Sequence, residues 1–205
     1  MNADGSNVVQ LTFTGEDESS PTWSPDGTRI AFARTAGTNS EIYVMNANGS
    51  AQTRLTYHYA DDIAPAWSPD GVKLAFVRNE MLNGSIMVMN VDGTAQVALT
   101  VDVQFEWAPA WSPDGSKIAY SISTPGCSIA TMNADGSNQA LLFQNLGAEP
   151  CGAPTFSTSG VQLAFRRVSL ATLKGSLHKV DLTSGIVTQL SNGQYSDFYP
   201  AWSRQ

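Results

Sequence analysis

One motif returns through this chain at a nearly fixed interval. Its copies are Pro21-Thr22-Trp23-Ser24-Pro25-Asp26-Gly27, Pro65-Ala66-Trp67-Ser68-Pro69-Asp70-Gly71, Pro109-Ala110-Trp111-Ser112-Pro113-Asp114-Gly115, the degenerate Pro154-Thr155-Phe156-Ser157-Thr158-Ser159-Gly160, and the terminal Pro200-Ala201-Trp202-Ser203. The leading prolines stand at 21, 65, 109, 154 and 200, so the steps are 44, 44, 45 and 46 residues. A period of roughly 40–45 residues that contains short strands is the period of a propeller blade.

The second repeat resolves into four strands, over residues 64–68, 73–78, 85–90 and 96–100. Pro69-Asp70-Gly71 joins the first pair and Val91-Asp92-Gly93-Thr94 the last, each a tight-turn sequence, with a loop over 79–84 between the hairpins. The second strand repeats as Ile30-Ala31-Phe32, Leu74-Ala75-Phe76, Ile118-Ala119-Tyr120 and Leu163-Ala164-Phe165. A small alanine between two large apolar residues suits a sheet packed on both faces. No apolar period of 3.6 residues competes, so no helix is expected. A single four-stranded sheet cannot bury both faces, so the blades must stack radially. The fold class is therefore an all-β propeller with complete blades over 21–56, 65–100, 109–143 and 154–190.

The termini fall out of phase with the blades. Residues 1–6 match the turn before a fourth strand, residues 7–12 read as an orphan outer strand, and residues 199–203 as an orphan inner strand. Two readings stay open: a five-fold ring whose partial fifth blade comes from the termini, or a fragment of a larger propeller. Orphan strands with unpaired backbone groups would be expected to pair within the chain or to drive self-association.

A blade pattern of PxWSPDG, then IAF, then IYVMNADG, then LT resembles the TolB-like, or PD40, group of WD40-like propellers, and the resemblance covers the whole chain. It implies the fold directly. For function it implies less, because such blades serve periplasmic binding proteins and the gating domains of prolyl-oligopeptidase-like hydrolases.

The formal net charge of −7 and pI of about 4.6 argue against nucleic acid or an anionic membrane as partner. No apolar stretch is long enough to span a bilayer, and no secretion signal opens the chain. Low lysine with abundant Gly, Ser, Thr and Asn suits an extracytoplasmic, bacterial-type protein. The two cysteines, Cys127 and Cys151, belong to loops expected on one face of neighbouring blades. A disulfide between them is geometrically allowed, and two unrelated thiols are the alternative.

Two candidate binding constellations follow. Glu18, Asp62, Glu106 and Asp197 stand three residues before repeat prolines, where inner strands enter the channel, and could ring its mouth to attract a cation or a basic peptide. Counting back across the turns instead pairs Arg34 with Glu18 and Arg78 with Asp62, as cross-strand ion pairs, leaving Glu106 and Asp197 the freer pair. The second constellation is aromatic: Tyr57, His58 and Tyr59, then Trp107, then Phe198 and Tyr199, all expected on the face where inner strands begin, which we call the upper face. The plain alternative for Trp107 and Phe198 is packing between blades.

Catalytic motifs are lacking. There is no Gly-x-Ser-x-Gly elbow, His-Glu-x-x-His or Walker loop, and the only histidines are His58 and His178, the latter in a strand. The Asn-x-Asp-Gly runs lack the distal glutamate of a calcium loop and read as hairpins. No catalytic residue, metal ligand or cofactor is assigned, apart from the cation that an acidic channel mouth could attract. The expected function is a non-enzymatic scaffold gripping a protein or peptide through its upper face and acidic channel mouth. The alternatives are the filter part of a larger hydrolase and a carbohydrate-binding propeller.

Overall fold

The computed structural model describes residues 4–80, 83–101, 105–123, 126–145, 150–192 and 200–202, without the side chains of Cys127 and Asn145. Sixteen strands form four antiparallel sheets among these residues, with no helix. Blade 1 holds β1 (Asp17–Trp23), β2 (Arg29–Ala36), β3 (Asn39–Asn46) and β4 (Thr53–Arg54). Blade 2 holds β5 (Asp61–Trp67), β6 (Lys73–Glu80), β7 (Asn83–Asn90) and β8 (Val97–Ala98). Blade 3 is β9 (Phe105–Trp111), β10 (Lys117–Ser123), β11 (Cys127–Asn133) and β12 (Ala140–Asn145). Blade 4 is β13 (Cys151–Phe156), β14 (Gln162–Val168), β15 (Gly175–Asp181) and β16 (Val187–Gln189). The inner strands β1, β5, β9 and β13 neighbour one another in that order around a central channel.

The alternation within the second strands explains the stacking. In β2, Ala31 and Ala33 turn toward blade 2, where Leu74, Phe76, Met87 and Met89 fill the space beside them. One step on, Ala75 and Val77 of β6 receive Ile118, Tyr120 and Met132 of blade 3. The small residues of each second strand thus lie against large ones of the next blade, and the two blades share one buried apolar cluster. Ala31, Ala75 and Ala119 are fully buried, as such an interface requires.

The serine and aspartate of the SPDG turn act as a unit. In blade 1 the Ser24 hydroxyl donates to Asp26 Oδ1 at 2.6 Å while accepting from the Arg29 amide at 2.9 Å. Asp26 also accepts from the Thr28 amide and hydroxyl. These donors, the Ser24 hydroxyl foremost, hold its pKa down at about 2. Blade 4 keeps the frame without the acid: Ser159 faces Ser157 across 3.1 Å, and Ser157 accepts from the Gln162 amide.

Three features depart from the sequence reading. The inner strands begin at Asp17, Asp61, Phe105 and Cys151, several residues ahead of the prolines. Each carries a left-handed residue directly before its proline: Ser20, Ala64, Ala108 and Ala153, with φ of 51–52°. The ladder register slips at the same place in all four. Proline has no N–H to give the ladder, so the strand bulges there, at a cost of the order of 1 kcal/mol for a left-handed alanine. Second, the stretch read as a loop over 79–84 is largely ladder, with Asn79 opposite Gly84 and Glu80 opposite Asn83.

Third, residues 7–12 and, of the stretch 199–203, the described residues 200–202 belong to none of the four sheets, although 7–12 and 199–203 were expected to be ladder strands. They nonetheless occupy seats that the repeat defines. Leu11 lies over Gly49 as Leu55 lies over Gly93 and Leu99 over Gly136. The Trp202 indole donates to the Thr155 carbonyl at 3.1 Å, as Trp67 donates to Thr22 at 3.2 Å. Residues 4–7 also keep the hairpin shape, with Gly5 and Asn7 at positive φ like Gly49 and Ala51. Side-chain seating therefore survives where no neighbouring strand supplies a ladder.

Candidate functional site

Asp62 and Arg78 face each other directly across β5 and β6, and two bonds of 2.8 Å join them. Asp62 is fully buried. Burial opposes the Arg78 charge, but Asp62 outweighs it, with Glu80 and Glu41 adding to the effect, and the guanidinium pKa is raised. Glu18 pairs with Arg34 in the same way at 3.0 Å. Glu106, expected to be freer, is 2% exposed and engaged, lying inside β9 opposite Ile122. Because the inner strands start earlier than the motif implied, these carboxylates sit within the ladder. None is among the residues around the two channel cavities. Asp197 lies outside the described residues.

The channel itself is walled by small, hydroxyl and aromatic side chains. Its upper cavity, of about 630 Å³, is ringed by the repeat prolines Pro21, Pro65, Pro109, Pro154 and Pro200 with the left-handed residues before them. Its lower cavity, of about 800 Å³, is walled by Trp23, Trp67, Trp111, Phe156 and Trp202 with Ser24, Ser112 and Ser157.

Of the aromatic candidates, Tyr57 and Tyr59 are each 75% exposed. His58 between them is half-buried, its ring 4.3 Å from that of Tyr59 and its Nε2 3.7 Å from Glu80 Oε1. Trp107 packs between blades instead, with its ring in contact with Gly152 of β13 and its indole donating to Ser123 Oγ at 3.1 Å. A side chain at position 152 would collide with that ring, so glycine is required there. Phe198 and Tyr199 lie outside the described residues.

The loop that carries the tyrosines is held by a residue the sequence reading passed over. Glu41 is 1% exposed, and its carboxylate accepts four hydrogen bonds. These come from Arg54 Nη2 at 2.6 Å, Thr56 Oγ1 at 2.6 Å, the His58 amide at 3.0 Å and Asn39 Nδ2 at 2.9 Å. Asn39 also donates to the His58 carbonyl at 2.6 Å, and Arg54 stacks on Tyr57 at 4.5 Å. A buried carboxylate with this many donors fixes the backbone of residues 54–60. The signal was available in the repeats, since Ser85 and Ser128 hold the corresponding place before Ile86 and Ile129.

Cys151 is buried and disulfide-bonded, and the chain's other cysteine is Cys127 at the start of β11, whose side chain lies outside the description. His178 is a buried strand residue of β15 stacked on Phe165, and burial lowers its pKa. Among the described residues no group of three or more His, Cys, Asp or Glu is placed to hold a metal ion, and no helix is long and apolar enough to cross a membrane.

Four radially stacked, four-stranded blades around a channel define a β-propeller. By its sequence the chain belongs to the PD40 family, the TolB beta propeller domain, whose pattern matches residues 1–205. Among solved structures it is similar to a putative TolB from Agrobacterium tumefaciens, at 22% identity and a TM-score of 0.78, over 94% of this chain and 68% of that one. It is also similar to TolB from Acinetobacter baumannii, at 20% identity and 0.76, over 92% of this chain and 47% of that one. A chain of a nidogen/laminin complex aligns at 17% identity and a TM-score of 0.68, over 85% of this chain and 65% of its own. No curated protein matches the chain in sequence.

Proposed function

We propose that this propeller is a non-catalytic scaffold that binds a protein or peptide segment on its upper face, at the loop of Tyr57 and Tyr59. The observation that carries this reading is a pairing of exposure with rigidity. Both rings are 75% exposed, yet the backbone beneath them is tied down by the buried Glu41. Large apolar rings held rigidly in water bind a partner with little loss of conformational freedom, which is how interface anchors gain affinity. The bonded Cys151 and the kinship with TolB propellers support an extracytoplasmic setting. The acidic channel mouth drops out of the proposal, because Glu18 and Asp62 are spent on arginines and Glu106 is buried.

The test is selection of peptides from a displayed library on the intact protein, followed by competition with the Tyr57→Ala/Tyr59→Ala double variant. Selected peptides should lose at least about tenfold in affinity on the double variant, as hot-spot truncation does. Selected peptides that bind the variant undiminished would refute the reading.

A further inference from the structure

A small cavity of about 190 Å³ lies beside Tyr59, where the β2–β3 hairpin of blade 1 meets the start of β5. Its walls are Thr38, Asn39, Tyr59, Ala60, Asp61 and Asn79. It is too small for a drug-sized ligand and suits the head of one side chain. Asp61 and Asn79 face each other across β5 and β6, one step along the ladder from the Asp62 and Arg78 pair. Alternation sends that ion pair to the opposite face of the sheet.

The cavity offers one acceptor that the chain does not use, on Asp61, while the oxygen of the Asn79 amide is shut off behind its wall. Asn79 Oδ1 is buried without a hydrogen-bond partner, and an acceptor in that state is costly. Asp61 accepts through Oδ1 from the Ser40 amide at 2.7 Å, and no donor reaches its other oxygen among the described residues. Glu80, next along β6, has its side chain half exposed and faces His58. Both nearby arginines are committed elsewhere, Arg78 to Asp62 and Gln96, and Arg54 to Glu41 and the Thr56 carbonyl. A carboxylate with one oxygen unmet beside an exposed aromatic ring calls for a positively charged donor.

We infer that this cavity is the specificity pocket for a lysine or arginine side chain of the partner peptide, seated against Asp61 and Asn79 with Tyr59 alongside. The inference rests on the peptide-binding reading above and supplies its sequence preference. The chain's net charge of −7 draws such a peptide in at long range.

The experiment is a nitrogen-15 NMR titration of the intact protein with three acetylated pentapeptide amides, alanine throughout except for a central lysine, arginine or norleucine. The basic peptides should shift the amides of Thr38, Asp61 and Asn79 saturably at millimolar concentration, and the norleucine peptide should not. Asp61→Asn keeps an acceptor for the Ser40 amide while removing the charge, and should weaken the basic peptides by about tenfold. Glu80→Gln, outside the cavity, should weaken them less. Equal shifts with norleucine, no shifts at these amides, or an Asp61→Asn affinity equal to wild type would each overturn the inference. A pocket response to glucose but not to lysine would overturn it in favour of a sugar. Peptides that bind through Tyr57 and Tyr59 without preferring a basic residue would sink the pocket and leave the scaffold reading standing; basic peptides that fill the pocket while Tyr57→Ala, which leaves the pocket wall intact, binds peptides normally would do the reverse.

Discussion

Replacing Glu41 by alanine tests whether one buried carboxylate organises the upper face of blades 1 and 2. The substitution removes the acceptor for four donors at once and leaves Arg54, whose side chain is 31% exposed, without its counter-charge. Breaking a buried pair by deleting one partner costs roughly 3–5 kcal/mol. The partial exposure of Arg54 lets water take up some of its charge, so we expect the low end, about 3 kcal/mol. For a chain of this size each kcal/mol moves the melting temperature by roughly 2–4 °C, which predicts a fall of about 6–12 °C. Differential scanning calorimetry on Glu41→Ala reads this directly. The Glu41→Met/Arg54→Met double variant should recover part of the loss, since no charge is then left unpaired. A fall of less than about 2 °C, or a double variant no better than the single one, would show that the carboxylate is not the organiser.

Two further outcomes follow from local geometry. Gly93→Ala places a methyl group at φ +86°, 2.7 Å from the Leu55 carbonyl, and should cost about 2–3 kcal/mol by chemical denaturation. Gly5→Ala meets nearly the same φ, +82°, with nothing within 4 Å, and should cost about 1 kcal/mol or less; equal costs would mean that the close approach does not matter. For His178, burial favours the neutral ring and lowers its pKa below the ordinary 6.5. Its contribution is fully present above pH 6.5 and is lost as pH falls below that value, because the unfolded chain takes up the proton more readily. The melting temperature of His178→Phe should therefore be less sensitive to acidification below pH 6.5 than wild type, and parallel pH profiles would refute the assignment.

The repeat alone was enough to specify what depends on short-range chemistry. The SPDG turns, the alternation that separates Ala31 from Ile30 and Phe32, and the pairing of Arg78 with Asp62 all follow from a few adjacent residues and the geometry of one hairpin. The start of the inner strands did not, because the bulge before each proline extends the ladder past the point where motif and turn logic end. That is why Asp62 and Glu106, read as a channel rim, are buried side chains. Glu41 escaped notice for a related reason: its donors come from Asn39, Arg54, Thr56 and His58, which only the folded blade gathers around one carboxylate. The plainest case is tryptophan. Trp23 and Trp67 sit in the same motif, yet one is 57% exposed and the other 7%. Trp67 has the inner strand of blade 1 beneath it, with the Thr22 carbonyl for its indole N–H and Arg29 over its ring. Burial belongs to the neighbour as much as to the residue, and neighbours are assigned by the tertiary fold.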